Sequence, residues 1–243
     1  MSSYRERIYR QYVHGRGQAL APATLAGLAP RAATLRNAVR RFFPARRDVR
    51  VLDLGCGHGA LIYFARKAGY SDITGVDVSP EQVAAAQRLG IEGVRNGDLL
   101  GTLSNLPDSS QDVVVAFDVI EHFTKSELLP FVDEVRRVLK PGGRWVIHTP
   151  NGDSPFVGAI RYGDFTHELA FTQASLSQLL LSSGFSRADF FESGPVAASL
   201  KGAVRVLLWR AIRLGLQLWQ AAETGDIGRN AIFTRNLFAV TYK

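Results

Sequence analysis

The stretch "VRVLDLGCGHGAL", residues 49–61, limits what this chain can fold into more than any other. Val49, Val51, Leu52 and Leu54 surround a single acid, Asp53, which suits a short buried strand. Gly55, Gly57 and Gly59 follow, and "ALIYFARKAG" reads as a helix closed by Gly69. A strand that feeds a helix through glycines is the first half of a β-α-β unit. Such glycines let the backbone approach a ligand closely, and the helix start offers N–H groups to an anion. Alone, the pattern fits either a tight structural turn or a dinucleotide loop of the form G-x-G-x-x-A ending at Ala60.

The alternation continues. "DITGVDVS" predicts a second strand ending at Asp77, and "SPEQVAAAQRLG" a helix with Ser79 as N-cap and Gly90 as its stop. "GVRNGD" is a third strand and "QDVVVAFD" a fourth, greasy enough to be buried on both faces. "SELLPFVDEVRRVLKPGG" predicts a helix stopped by Pro141 and Gly142. "RWVIHTP" is a fifth strand, "TQASLSQLLLSSGF" a helix, 187–192 a sixth strand and "RNLFAVTYK" the last. The fold class is therefore α/β, a Rossmann-like doubly wound seven-stranded sheet, read here as parallel. Residues 1–48 form a basic helical arm, in which Leu35, Ala38, Val39, Phe42 and Phe43 keep helical spacing and Pro44 ends the run. Residues 49–243 form the main domain, with a helical insertion at about 197–222 before the last strand. A carboxylate at Asp77 can accept both hydroxyls of a ribose, and Asp53 can orient the loop or meet an amino group.

"VLDLGCGHG", "GVDVS", "NGDL", "VVVAFDVIEH" and "VLKPGGRWVIHTPN", in that order and spacing over roughly 49–193, resemble the class I S-adenosylmethionine-dependent methyltransferases. The resemblance implies that Asp53, Gly55, Gly57 and Gly59 hold the methionine part of the donor. It implies that Asp77 holds the ribose with Val78 beside the adenine, and that Asp98 faces the adenine amino group with Leu99 next to it. Phe117 would line the methyl-donor site. A nucleotide-linked oxidoreductase accounts for the first two motifs, but not for Asp98 or the "LKPGG" turn.

"AFDVIEHFT" places Asp118, Glu121 and His122 just beyond the fourth strand, at i, i+3 and i+4, on one side of any helical turn. "TPNGDSPFVGAIRYGDFTHELAFT" adds His167 from the same end of the sheet. The combination resembles ubiquinone-pathway O-methyltransferases and Hen-type small-RNA 2′-O-methyltransferases, which carry E-x-x-E-H here and a later histidine. That resemblance implies a divalent ion, magnesium or zinc, held by Asp118, Glu121, His122 and His167, with Asp where those groups have the first Glu. Three readings stay open for these catalytic candidates: a metal site, a histidine base without metal, or scaffolding of the loop. Among the other histidines, His58 lies in the glycine loop, His148 reads as a core histidine and His14 carries a weak case.

The net charge of +7 is concentrated at the start: residues 1–50 hold eleven arginines against Glu6 and Asp48. "SLKGAVRVLLWRAIRLGLQLWQ" is basic and amphipathic, with Ala203, Val204, Leu207, Leu208, Ala211, Leu214 and Leu218 on one side and Arg210, Arg213, Gln217 and Gln220 on the other. It reads as a lid, a membrane-surface anchor or a core helix. The same pattern resembles methyltransferases that accompany polysaccharide synthesis. One cysteine, Cys56, rules out an internal disulfide, and no signal peptide or run of about 18 apolar residues is present. The sequence thus predicts a cytoplasmic protein, peripheral at the inner membrane if the helix docks there. Expected partners are a small-molecule or glycan acceptor and an anionic membrane surface; nucleic acid is less favoured, because no RNA-binding module is recognised. The expected function is methyl transfer from S-adenosylmethionine to a hydroxyl, the alternatives being an RNA 2′-O-methyltransferase and a non-catalytic donor-binding protein.

Overall fold

Seven strands form one sheet in the order β3-β2-β1-β4-β5-β7-β6. They are β1 (Val51–Leu54), β2 (Ile73–Asp77), β3 (Val94–Asn96), β4 (Gln111–Phe117), β5 (Leu139–Pro150), β6 (Arg187–Glu192) and β7 (Asn236–Tyr242). This computed structural model describes residues 4–9 and 21–243; His14 and residues 10–20 of the predicted arm lie outside them. The helices described are α1 (Tyr4–Tyr9), α2 (Ala29–Phe42), α3 (Ala60–Lys67), α4 (Pro80–Arg88), α5 (Leu99–Ser104), α6 (Lys125–Val138), α7 (Val157–Arg161), α8 (Gln173–Ser182) and α9 (Leu200–Thr224).

Alternation along the strands divides the core. Val113 and Val115 of β4 face a layer built by α2 and α3, where Leu35, Val39, Phe42 and Ile62 are buried. Val114 and Ala116 face the opposite layer, with Phe131, Val135, Leu176 and Leu180 from α6 and α8. The amphipathic positions of α2 thus pack onto the sheet.

The pairings among β3, β2, β1, β4 and β5 are parallel, as expected. The last strand is not: β7 runs antiparallel to both β5 and β6. The reason lies in its connection. After β6 the chain stays at the carboxyl end of the sheet, where Glu192 accepts hydrogen bonds from Trp209 and Arg213 of α9 and from the Phe233 N–H. A strand entering from that end between β5 and β6 must run the other way.

Two local expectations need correction. The helix predicted to be stopped by Pro141 and Gly142 already ends at Val138, because Leu139 is extended and pairs with Gln111. Residues 140–143 then bulge, and the ladder resumes at Val113↔Arg144; Pro141 also disfavours helix at the residue before it. Ser79 occupies the N-cap position of α4, but its hydroxyl makes no capping bond; its N–H donates instead to Asp77 Oδ1 at 2.8 Å. The Thr124 hydroxyl does cap α6, in a reciprocal box with Glu127.

Phe131 is fully buried against Phe123 and Trp145. Phe131→Ala is expected to lower the unfolding free energy by about 3–5 kcal/mol. Thr124→Ala, which removes only a cap, should cost about 1 kcal/mol. Urea titration of both variants checks the ranking; equal losses would contradict it.

Candidate active site

A cavity of about 940 Å³ opens where β1 and β4 lie side by side and the chain leaves them in opposite directions. Ligand crevices of doubly wound sheets form at such a switch point. The glycine loop forms its floor. Gly55 has φ 68°, and a Cβ there would come within 2.5 Å of Val119 Cγ2. Gly59 has φ 78° and would press Ile91 and Val94 at 2.8 Å. Larger residues do not fit these turns.

Asp77 ties the loop to β2. Its Oδ2 accepts the Gly57 N–H at 2.7 Å and its Oδ1 the Ser79 N–H at 2.8 Å. Burial raises its pKa, and those two hydrogen bonds pull it back. A carboxylate has about four acceptor sites, so two bonds leave capacity for ligand hydroxyls. Asp53 lies beneath, 2 % exposed, its pKa pushed up to about 8 by burial and then by the charge of Asp77, with Arg31 opposing. His58 Nδ1 pairs with Gln82 Oε1 at 3.2 Å, and burial lowers the pKa of its ring.

Of the residues assigned to the donor, Asp53, Gly55, Gly57, Asp77, Val78, Asp98, Leu99 and Phe117 line the cavity. Gly59 lies behind it as the N-cap of α3. Asp98 is exposed and accepts the Gly101 N–H at 2.6 Å, which caps α5. Arg31 and Leu35 of α2 also line the cavity, and sequence reasoning had not placed them there.

The segment after β4 departs from expectation. Asp118 has φ 57°, and the following turn is a 3-10 helix over Ile120–His122, so the shared helical side never forms. The Asp118 carboxylate instead turns to β5, where its Oδ1 lies 2.7 Å from His148 Nδ1. The β4–β5 register pairs Phe117 with His148, which sets this meeting. His148 Nε2 reaches Ser193 Oγ at 2.9 Å, and its ring packs on Phe117 and Phe238. Burial pushes the Asp118 carboxyl up, but His148 outweighs it and holds the pKa below the usual value. The side chain remains 43 % accessible, opening onto the cavity it lines.

The four-residue cluster expected from sequence is therefore three. Glu121, His122 and His167 place potential ligand atoms within 4.8 Å of one another, and Asp118 stands apart with His148. Glu121 is fully buried; Thr149 donates to its Oε2 at 3.0 Å, and its Oε1 has no hydrogen-bond partner. Burial, then the Asp118 charge, raises the pKa of Glu121 well above the usual range. His122 Nδ1 lies 2.9 Å from Thr166 Oγ1, whose own proton goes to Asp164 Oδ1. His167 Nδ1 faces the Ile160 carbonyl at 3.0 Å. Both partners accept, so each ring carries its proton on Nδ1 and its lone pair on Nε2. Burial, then the neighbouring His167, lowers the pKa of His122 to about 4. Backbone bonds from Glu168 and Leu169 to the Glu121 carbonyl fasten the loop that brings His167 here.

Residues 52–147 match a family described as a methyltransferase domain. A protein named "Probable S-adenosylmethionine-dependent methyltransferase" from Mycolicibacterium smegmatis is 35% identical over 150 residues, 60% of this chain and 54% of that protein. A ubiquinone biosynthesis O-methyltransferase of Azorhizobium caulinodans is 34% identical over 108 residues, covering 43% of this chain and 42% of its own length. The chain spans about half the length of the curated relatives it matches. A SAM-dependent methyltransferase from Archaeoglobus fulgidus superposes with a TM-score of 0.66 at 21% identity, over 89% of this chain and 94% of that one, which shows the fold. With its glycine loop and Asp77 at the switch point of a seven-stranded mixed sheet, the chain has the Rossmann-like fold of the S-adenosylmethionine-dependent methyltransferases, and residues 52–147 carry its match to the methyltransferase-domain family.

Proposed function

We propose that this chain binds S-adenosylmethionine in the crevice and transfers its methyl group to a hydroxyl of a small molecule or glycan. One observation carries the reading: a ribose-type acceptor, Asp77, and an ionised proton acceptor, Asp118, line a single cavity. Asp77 holds the ribose with the acceptor capacity that Gly57 and Ser79 leave. Asp53 meets the donor's ammonium, which favours its ionised form. The hydroxyl oxygen attacks the methyl carbon in line, the carbon–sulfur bond breaks toward sulfur, and S-adenosylhomocysteine leaves neutral at sulfur. The hydroxyl proton passes to Asp118. Because the sulfonium is already reactive, catalysis is mostly alignment plus this proton acceptance. The names of curated relatives include both O- and N-methyltransferases. An amine attacks as the neutral base and needs no acceptor until after the step, so the acid at the end of β4 favours a hydroxyl.

Glu121, His122 and His167 fit a divalent ion. The buried Glu121 Oε1 accepts no hydrogen bond from any described protein group, and the histidine tautomers place lone pairs on Nε2. Two nitrogens and one carboxylate suit zinc better than magnesium. An ion held there would supply positive charge that favours loss of a proton from a nearby hydroxyl. Thr166 and the Ile160 carbonyl hold the two rings in orientation, as outer partners of ligating histidines do.

For the donor, Asp77→Ala should weaken S-adenosylmethionine binding by about 1.5–3 kcal/mol, the range for hydrogen bonds to a charged group. Unchanged affinity by calorimetry with the fold intact would refute the assignment.

For the proton acceptor, Asp118→Asn should lower kcat about 10²–10⁴-fold. A base works only when deprotonated, and the pKa of Asp118 is held low, so kcat/KM should stay level as pH falls until the lower part of the carboxylate range. His148→Gln should move that fall to higher pH. A limb near neutral pH in the unmodified protein would point to a different base.

For the metal, zinc titration should show one site. Glu121→Gln and His167→Ala should each remove it, while Asp118→Asn leaves it in place. Loss of zinc binding in the Asp118 variant would restore the four-ligand set.

A further inference from the structure

The helix α9 is mounted inside out. At about 100° per residue its polar stripe faces the body of the protein. Trp209 and Arg213 donate to Glu192 at 3.0 and 3.3 Å, Arg213 also binds the Arg229 and Ala231 carbonyls, and Gln217 reaches the Gly228 carbonyl. Only Gly202 of the whole helix is buried. Leu207, Leu208, Leu214, Leu218 and Trp219 are each more than half exposed, and Val204 and Ile212 about half. A core helix would turn these residues inward, so that reading falls. No residue of α9 lines the cavity, so the helix does not cover it as a lid either.

We infer that this face lies on an anionic lipid surface, with α9 parallel to the membrane plane. Three observations select lipid. First, the apolar strip is long and continuous: 25 residues of helix span about 37 Å. Second, its borders carry Lys201, Arg205 and Arg210, and no acid occurs between Ser193 and Ala222. Cations beside an apolar face, with an exposed tryptophan at its edge, match the chemistry of a headgroup layer over acyl chains. Third, the same rim opposes a second copy of this chain, because a two-fold pairing of these helices would bring like charges together. The helix lies on the surface rather than crossing it, since no described helix is long and apolar enough to span a bilayer.

Other exposed aromatic groups lie at the same end of the sheet. Phe156, Tyr162 and Phe165 are exposed on the segment after β5, which leaves the same end of the sheet as α9. Arg235, just before β7, stacks over Phe156 at 5.2 Å, and Arg161 over Tyr162 at 5.3 Å. Aromatic rings paired with cations are suited to the interfacial layer.

The full chain is tested by co-sedimentation with vesicles of phosphatidylcholine and phosphatidylglycerol, against vesicles of phosphatidylcholine alone. Binding to the anionic vesicles at low ionic strength, released by salt, is expected because the attraction is screened. Replacing Arg205 and Arg210 together with glutamine should reduce partition by about 10- to 30-fold. Leu207→Asn with Leu218→Asn should reduce it comparably while S-adenosylmethionine affinity is retained. Trp219 emission should shift to the blue with anionic vesicles, and the shift should vanish in Trp219→Phe. Should the leucine variant lose helix content, the arginine variant and the Trp219 signal still decide. The inference is overturned by absence of vesicle binding at low salt, or by binding that both variants leave unchanged. It is also overturned if the unmodified chain is a dimer in sedimentation velocity and the leucine variant a monomer, which would give the face to a second copy.

Discussion

Strand β4 sets the terms for everything around it. Val113 to Ala116 are wholly inaccessible, covered by a helix layer on each face and by β1 and β5 on each edge. No polar group is tolerated along that run without a partner. The first place where the chain can present chemistry is where β4 ends, at Phe117 and Asp118. There the backbone turns sharply, with φ 57° at Asp118, a conformation that costs energy for a residue with a side chain. Such strain persists where surrounding contacts fix it, and here the Asp118 N–H is bonded to the His148 carbonyl and the carboxylate to the His148 ring.

Burial then divides the acids by role. Asp53 and Glu121 are enclosed, and both are driven toward the neutral form. Asp77 and Asp118 have partners that favour the charge: two backbone N–H groups for one, an imidazole for the other. The result is two pairs of neighbouring acids, Asp53 with Asp77 beneath the glycine loop and Glu121 with Asp118 beyond β4. Asp53, Asp77 and Asp118 line the cavity, where they can meet a ligand, while Glu121 is enclosed.

The chain elements outside the repeating strand–helix pattern are also put to use. Helix α2 closes one face of the sheet and sends Arg31 to the crevice, where its charge bears on Asp53, His58 and Asp118. The connection through α9 makes β7 antiparallel and leaves an apolar face outward. Both come from the basic parts of the sequence. In α2 the cation works inside the protein; on α9 the cations border a surface.

The sequence by itself determined the order of strands and helices, the glycine turn and the carboxylates at the strand ends, because each rests on local patterns: alternation, helical spacing, and backbone shapes that admit only glycine. It also determined that Glu121, His122 and His167 could meet, through a family pattern carried on short motifs. It could not determine the partner of Asp118. That depended on the register of β4 against β5, which brings His148 within reach from thirty residues away. Nor could it fix the end of α6, decided by the pairing of Leu139, or the direction of β7, decided by where the chain re-enters the sheet. For α9 the amino-acid pattern offered two faces and no way to rank them. Tertiary structure ranked them: Glu192 and the carbonyls of 228–231 could be satisfied only by the polar stripe, so the apolar stripe was turned outward. Hydrogen bonds demand specific partners at specific places, and those places exist only once the chain has folded.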